Sequence, residues 1–458
     1  MFQILRSSSI FVMIFLIIIW LLTTITLSQF NLQPYTWELK NFLIGQNLNQ
    51  GYRIYKDIRE NIGPLSANFY QLIDFLNIPI TWNAYLATGI IILQAIVFQR
   101  TISRYSLLPN LGNLPFFIYS LFFHFSMEFL APNGSMLGLT FLLLAWNEIL
   151  AQQSTLKVND RVFLIGLYIS IASVFFLSYA FFLFWAILSL LFYSSINVRQ
   201  IILLIVGFSL FFIFTGLIFS YRDNFQAFID VYQNSAFVVY IPTSAQIKQI
   251  LLAYIPAMIL GIWGFVKVIN STKINSNAQK AQQTNLMWLL TSVVIIFFIP
   301  TVERINLVFL MPSLIYFTLN LFYLFKSYWQ KEMLIIFIFF AMIFSLSNEW
   351  NEVGQQRILT QKLQIRNEKL MVLGPQIEEY QNNQMTGPFV NWELSKSLFT
   401  NLNQYKTIIM MHDYFAKDMP SYIYDPENNF KKLGYYLPEL TNQYSLIDKH
   451  LYKKINNK

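Results

Sequence analysis

The chain has 458 residues, of which 55% are hydrophobic and only 12% are charged. Because a soluble domain usually carries about 25% charged residues, this composition excludes a chain that is water-soluble throughout. The absence of cysteine excludes disulfides, thiolate metal sites and cysteine nucleophiles.

Long apolar runs predict an all-α polytopic membrane protein that crosses the bilayer about eleven times. The first run follows Arg6 and has no clear small-residue cleavage site, so we predict an uncleaved span. The stretch 162–195 fits one long tilted helix or two short ones, and Arg161 and Arg199 at its ends favour the two-helix hairpin. The predicted spans are 10–28, 82–98, 114–130, 135–150, 162–178, 180–195, 200–219, 249–268, 286–300, 306–325 and 332–347.

Lys and Arg residues lie mostly at alternate connections between these runs, which orients the predicted helices. Arg6, Arg100 and Lys331 belong to the basic set, whereas the opposite connections carry mixed charge. The N-terminus is therefore expected in the cytoplasm and the C-terminal region outside. The net charge of +8 reflects this topology, since no basic stretch contains interleaved aromatic residues that would indicate nucleic-acid binding.

The predicted outer face holds the longer connections, including a first loop over 29–81, and functional groups are expected on such loops. Within this loop, Pro64 opens a segment whose apolar residues recur at helical spacing. That pattern predicts an amphipathic helix lying on the membrane surface. Residues 36–43 form a second helical candidate.

The composition becomes more polar near residue 348, which predicts two domains. Residues 1–347 form a transmembrane domain that includes the first outer loop, and residues 348–458 form a small soluble α/β domain outside the membrane. Strands are predicted at 369–374, 421–425 and 450–455, and helices at 392–415 and 428–444.

The sharpest local motif is GYRIYKDIRENIGPL, residues 51–65, directly before the predicted interfacial helix. Asp57 and Glu60 lie among Arg53, Lys56 and Arg59. A carboxylate near the membrane surface can act as a general base, and neighbouring cations keep it ionised and can hold a phosphate. The alternative is a solvated loop with internal salt bridges.

Three further residues are candidates at the outer ends of apolar runs. Glu128 lies near the end of the third predicted span, where an ionisable group is costly and often functional, although it can also reach into the headgroups. Arg222 and Arg304 can each clamp a lipid phosphate, or pair with the adjacent Asp223 or Glu303. The three histidines are scattered without metal-ligand spacing, so no histidine-based zinc site is predicted.

Several signals of other functions are absent from the sequence. It contains no GxxxxGK or GxGxxG phosphate loop and no GxSxG nucleophile motif. The spans carry few charges and the two halves do not look alike, which weighs against a secondary transporter. Two alternatives to an enzyme remain: a non-catalytic multi-pass scaffold of the cell envelope, and a lipid or polysaccharide transporter.

The 51–65 motif resembles the first-loop signature of bacterial GT-C membrane glycosyltransferases, the superfamily of the protein O-mannosyltransferases and the lipid A aminoarabinose transferase. That signature runs from Gly through Tyr, a basic residue and Asp to Pro-Pro-Leu and an amphipathic helix, and Gly63 stands where the first proline is usual. The long first loop, the acid in the second outer loop and the C-terminal α/β region are similar to that family's layout. The residues that fit the signature are Gly51, Tyr55, Lys56, Asp57, Pro64 and Leu65.

The resemblance implies a GT-C-like arrangement of helices in a bacterial inner (cytoplasmic) membrane. It implies transfer of a sugar from a polyprenyl-phosphate donor to an envelope acceptor, with Asp57 as the general base and membrane lipids as surroundings. Arg222 or Arg304 would hold the leaving phosphate, and Glu60 and Glu128 would contact the acceptor or a metal. No cofactor is required, and a divalent metal is left open. The remaining residues implied in substrate binding are Arg53, Tyr55, Lys56 and Arg59.

Overall fold

The apolar runs of the sequence form long α-helices in the computed structural model. The chain separates into two compact units. The helical unit comprises Met1–Leu32, Ile62–Ser66 and Thr81–Glu352, and the mixed unit comprises Gln33–Asn61, Ala67–Ile80 and Val353–Lys458. The structure describes residues 1–30, 34–154, 158–194, 196–236, 239, 241, 243–271, 276–299, 303–356 and 363–455.

The helices up to residue 356 follow the hydropathy of the sequence closely. Every predicted span overlaps a helix, and 162–195 contains two helices joined by a turn at 176–181, which confirms the predicted hairpin. Residue 300, the last of its predicted span, lies outside the described residues. The helices are α1 Phe2–Leu5, α2 Ile10–Phe30, α3 Thr36–Asn49, α4 Pro64–Phe75, α5 Asn83–Arg104, α6 Leu114–Phe122, α7 Gly134–Ser154, α8 Asn159–Phe175, α9 Phe182–Ser194, α10 Val198–Tyr221, α11 Phe225–Ala236, α12 Ser244–Ile269, α13 Ser276–Ile296, α14 Met311–Leu324 and α15 Tyr328–Gln356.

Seven helical segments of the described chain are long and apolar enough to cross a membrane, which is fewer than the eleven predicted. The other four predicted segments fall short for physical reasons. The α6 helix has nine residues and α8 has 17, the described apolar part of α12 is Ala253–Ile269, and α13 begins with the polar sequence SNAQKAQQ. The seven are Ile10–Gln29, Ile80–Arg104, Gly134–Ser154, Leu177–Ser194, Val198–Tyr221, Arg304–Leu324 and Tyr328–Glu349.

Burial distinguishes central from peripheral helices within the helical unit. The segment that contains α14 is 89% buried, whereas those of α2 and α10 are 17% and 22% buried. The peripheral helices expose large apolar side chains such as Phe11 and Ile213. A surface this apolar is stable in lipid and not in water, so the helical unit is that of a membrane protein.

Small residues allow α8 and α10 to pack with their backbones in contact. A Cβ atom added to Gly166 would collide with the carbonyl oxygen of Leu204, and one added to Gly207 would collide with that of Phe163. Close backbone approach through glycine is a common packing mode for helices in membranes. The two glycines therefore set the distance between these helices.

The C-terminal part of the mixed unit is a five-stranded sheet with short helices. The strand order is β2-β1-β3-β5-β4, with β1 parallel to both β2 and β3, and β5 antiparallel to β3 and β4. The elements are β1 Lys369–Val372, β2 Gln384–Met385, α16 Trp392–Thr400, α17 Tyr405–Lys417, β3 Tyr422–Tyr424, α18 Asn429–Leu433, α19 Pro438–Thr441, β4 Tyr444–Asp448 and β5 Leu451–Lys454.

The structure confirms the predicted strands as β1, β3 and β5, and the two predicted helices of the first loop as α3 and α4. Whether α4 lies on a membrane surface stays a prediction. The mixed unit also differs from the predicted division at residue 347, because it includes 33–61 and 67–80 of the first loop. The physical reason is that polar side chains of this loop bond to residues after 384, as described below.

Candidate functional site

Residues 51–61 of the first-loop motif form a tight turn in the mixed unit, whereas residues 62–65 belong to the helical unit. The backbone N–H of Tyr55 donates to the Ile58 carbonyl at 2.8 Å, and that of Ile58 donates to the Arg53 carbonyl at 3.1 Å. Tyr55 closes the turn in the left-handed region at φ 69°, and Gly51 precedes it at φ 82°. In this turn Tyr55 is buried, whereas Arg53 and Lys56 are exposed.

Asp57 is tied both to its own turn and to helix α17. Its Oδ2 accepts a hydrogen bond from the Arg53 backbone N–H at 2.8 Å and lies 3.5 Å from the Arg53 Nε. The Tyr414 hydroxyl donates to Oδ1 at 3.3 Å. Burial raises the pKa of Tyr414, and the Asp57 charge adds to that shift, so the phenol remains a donor. The Asp57 side chain is 13% exposed.

Glu60 contacts two other segments of the mixed unit, α3 and the residue that precedes α16. Its Oε2 lies 2.5 Å from the Lys40 Nζ of α3 and accepts a hydrogen bond from the Asn391 Nδ2 at 3.0 Å. Its Oε1 accepts from the Asn61 backbone N–H. The neighbouring Arg59 donates through Nη1 to the Ser397 Oγ of α16 at 2.8 Å. These contacts hold the motif against the C-terminal helices.

A second cluster of charged side chains is buried in the helical unit. The Arg304 Nη1 lies 3.1 Å from the Glu349 Oε1, with side chains that are 11% and 3% exposed. Glu349 also accepts hydrogen bonds from the Ser126 Oγ at 3.1 Å and the Met127 backbone N–H at 2.9 Å. Arg304 begins one candidate span and Glu349 ends the next, so the antiparallel helices bring both residues to one end.

Glu128 belongs to the same cluster, although it is 176 positions from Arg304 in the sequence. Its Oε1 accepts a hydrogen bond from the Ile305 backbone N–H at 3.2 Å. The residue lies in the 3-10 turn Met127–Leu130 that follows α6, and it is 7% exposed. The structure thus brings together two residues, Glu128 and Arg304, that the sequence marked separately.

Asparagine and serine side chains next to this cluster form further hydrogen bonds. The Asn133 Nδ2 donates to the Asn306 Oδ1 at 2.9 Å, and the Asn306 Nδ2 donates to the Glu303 Oε2 at 3.4 Å. The Ser135 Oγ donates to the Ile305 carbonyl at 2.7 Å. The first and third bonds join residues 133–135 to the segment before α14, and the second lies within that segment, so the backbone next to Arg304 is fixed at several points.

Arg222 lies elsewhere in the helical unit. It follows the last residue of α10 and is exposed. Arg304, for which the sequence also allowed a pair with the adjacent Glu303, forms an ion pair with Glu349. Sequence inspection missed Glu349 and Tyr414. The signal for Glu349 was available, since it is an ionisable residue at the end of an apolar run.

The described part of the chain contains no recognisable metal site. There, no set of three or more His, Asp or Glu side chains is placed to hold an ion. His412 lies on α17, whereas His124 lies in the turn after α6 and His450 in the turn between β4 and β5. Asp57 and Glu60 accept hydrogen bonds and ion pairs from protein groups that are named above.

These features define a multi-pass helical membrane protein with a small C-terminal sheet and a buried Arg–Glu cluster. The chain belongs to a family of unknown function, DUF6427, whose model matches residues 64–350, more than half of its length. No curated protein matches the chain at a significant level. The family match covers Glu128, Arg222, Arg304 and Glu349 but not Asp57 or Glu60.

Proposed function

We propose that this chain is a GT-C-like membrane glycosyltransferase that moves a sugar from a polyprenyl-phosphate donor to an envelope acceptor. The observation that carries the proposal is the meeting of Glu128 and Arg304 in one buried cluster. The resemblance described above implies that both residues contact the substrates, although they lie far apart in the sequence. An arginine and a carboxylate at one end of a helical bundle suit a phosphate-linked sugar and its acceptor.

The proposed topology places the helical unit in a bacterial cytoplasmic membrane, with the N-terminus inside and the C-terminal region outside. Its support is the alternation of basic and mixed connections along the sequence. In that orientation, Arg304 and Glu349 occupy the outer ends of their helices.

In the proposed reaction, the acceptor hydroxyl or amine attacks the anomeric carbon of the donor. The bond from that carbon to the phosphate oxygen breaks, and polyprenyl phosphate leaves. Asp57 takes the proton from the acceptor, and Arg304 stabilises the negative charge that develops on the phosphate. The guanidinium group of arginine has five N–H donors, so its pair with Glu349 through Nη1 is compatible with a phosphate contact.

The test is an Asp57→Asn variant, purified in nanodiscs and supplied with a panel of synthetic polyprenyl-phosphate sugars and with bacterial envelope extract as the source of the acceptor. We expect release of polyprenyl phosphate to fall by about 10²–10⁴-fold, the usual contribution of a general base. The matched control is Asp74→Asn, because Asp74 lies on α4 and accepts a hydrogen bond from Asn49, away from the motif. Donor turnover that is equal in Asp57→Asn and the parent chain would refute this mechanism.

A second candidate function is a non-catalytic envelope scaffold, and the contacts of the motif favour it. Asp57 and Glu60 accept bonds from Arg53, Tyr414, Lys40 and Asn391, which is what a purely structural loop would show. The scaffold predicts no donor turnover in the parent chain. It also predicts that Asp57→Asn changes only the stability of the mixed unit, with the envelope glycans unchanged at equal protein level.

A further inference from the structure

The first residues of the chain pack against the start of α15 at one end of the helical unit. The buried Phe2 ring stacks on Phe322 with centroids 6.3 Å apart and meets the Tyr328 ring edge-on at 6.1 Å. The Arg6 Nη1 donates a hydrogen bond to the Tyr328 hydroxyl at 3.1 Å. Residues 2–6 therefore have a fixed position beside the first turns of α15.

Two basic side chains meet at Tyr328. The Lys331 Nζ lies 5.9 Å from the centroid of the Tyr328 ring and 4.9 Å from that of the Phe2 ring, while Arg6 bonds to the Tyr328 hydroxyl. Two positive charges beside one tyrosine repel each other, and the repulsion grows where bulk water is displaced. The group formed by Arg6, Tyr328 and Lys331, which we call the basic site, therefore favours an anion next to it.

Carboxylates of the described chain do not neutralise the basic site. Glu332 follows Lys331 in the sequence, but its Oε1 lies 3.0 Å from the N-terminal ammonium group and accepts a hydrogen bond from the Phe2 backbone N–H at 2.7 Å. Among the residues that the structure describes, neither Arg6 nor Lys331 forms an ion pair with a carboxylate. Aromatic rings attract the Lys331 ammonium group only weakly and leave its charge in place. Arg6 is exposed and Lys331 is half-buried, so an external anion can reach both.

An exposed apolar stripe runs along α15 from the basic site. The candidate span of this helix is only 28% buried, so most of its surface is free to contact lipid. Apolar residues recur on it at intervals of three and four, which places them on one face of the helix. The stripe begins with an exposed Trp, a residue type that prefers the level of the lipid headgroups. It includes Trp329, Met333, Ile336, Phe337, Phe340 and Phe344.

Two positive charges at the start of an apolar stripe match the chemistry of an anionic phospholipid. Arginine and lysine donate charge-assisted hydrogen bonds to phosphate oxygens, and the Tyr328 hydroxyl, which accepts from Arg6, keeps a hydrogen of its own to donate. A zwitterionic lipid brings an ammonium group that the two cations repel. We propose that the basic site binds the phosphate headgroup of an anionic phospholipid, whose acyl chains lie along the stripe of α15.

The test uses the full-length protein in a neutral detergent and native mass spectrometry to measure the affinity of the tightest-bound dioleoylphosphatidylglycerol molecule. We expect Arg6→Gln and Lys331→Gln to weaken binding about fivefold each, and the double change about 25-fold, because each basic group near an anionic headgroup contributes about that factor. Lys331→Arg keeps the charge and should retain the parent affinity. Arg6 is exposed, so Arg6→Gln covers the case in which Lys331→Gln fails to fold.

The matched control is Arg199→Gln, because Arg199 is exposed in the first turn of α10, another peripheral apolar helix, and this variant should bind the lipid normally. Any of four results would overturn the proposal: unchanged affinity in the double variant, an equal loss in Arg199→Gln, equal affinity for dioleoylphosphatidylcholine, or equal affinity for sn-glycerol 3-phosphate, which carries the phosphate without acyl chains. The outcome is independent of glycosyl transfer, since Asp57 and Arg304 are unchanged in every variant.

Discussion

The buried ion pair between Arg304 and Glu349 gives the sharpest prediction about stability. The Glu349→Ala change removes a carboxylate that serves three donors: the Arg304 guanidinium, the Ser126 hydroxyl and the Met127 backbone N–H. The two charged side chains are only 11% and 3% exposed, so water cannot readily replace the lost partner. Breaking such a pair from one side typically costs about 3–5 kcal/mol, and we expect a loss of that size.

The measurement is the free energy of unfolding of the protein in bicelles, obtained by titration with a denaturing detergent. The matched control is Glu332→Ala on the same helix, because the Glu332 side chain is 34% exposed where it accepts from the N-terminal ammonium group and the Phe2 backbone N–H. An exposed pair contributes about 0–1 kcal/mol, so this control should change little. If Glu349→Ala costs no more than Glu332→Ala, the reasoning about the buried pair is wrong.

A double variant separates the charge from the packing. Replacing Arg304 and Glu349 together with methionine removes both buried charges and keeps apolar volume. Substitution of a whole buried pair by apolar residues is often neutral, so we expect the double change to cost less than Glu349→Ala alone. A cost equal to the sum of the single changes would show that the two side chains do not act as a pair.

Two further predictions concern packing and hydrogen bonding. Tyr414→Phe removes the hydroxyl that donates to Asp57 and should cost about 1 kcal/mol in thermal unfolding of the mixed unit, whereas Tyr405→Phe at an 80% exposed position should be neutral. Gly166→Ala should destabilise the helical unit by about 1–3 kcal/mol, because its Cβ meets a backbone carbonyl, while Gly89→Ala, which meets nothing, should be neutral or slightly stabilising. An equal effect of the two glycine changes would contradict the packing argument.

The sequence predicts the helices well because hydropathy is a local property. Every apolar run became a helix, and Pro64 is the first residue of α4, as its position before an amphipathic segment indicates. The number of crossings is a harder inference, since α6 and α8 are helical but short. A membrane span differs from a buried helix in its length and polarity, and several helices of this chain have intermediate values of both.

Partners in the fold could not be predicted in the same way. Glu128 and Arg304 were marked because each is an ionisable residue at the end of an apolar run. Their common cluster, and the place of Glu349 in it, depend on which helices are neighbours. The link between Asp57 and Tyr414 likewise joins residues that are 357 positions apart. No local pattern encodes such a contact, so the grouping of the first loop with the C-terminal strands emerged only from the structure.

The contact between Tyr414 and Asp57 also separates the two candidate functions of the motif. Asp57→Asn and Tyr414→Phe both weaken the same hydrogen bond, but only the first removes a group that can accept a proton. A structural loop therefore predicts a loss of stability in both variants and no effect on donor turnover. A catalytic Asp57 predicts that donor turnover falls steeply in Asp57→Asn and stays within a few-fold of the parent chain in Tyr414→Phe. Comparable turnover in the two variants would assign the motif to the fold and not to chemistry.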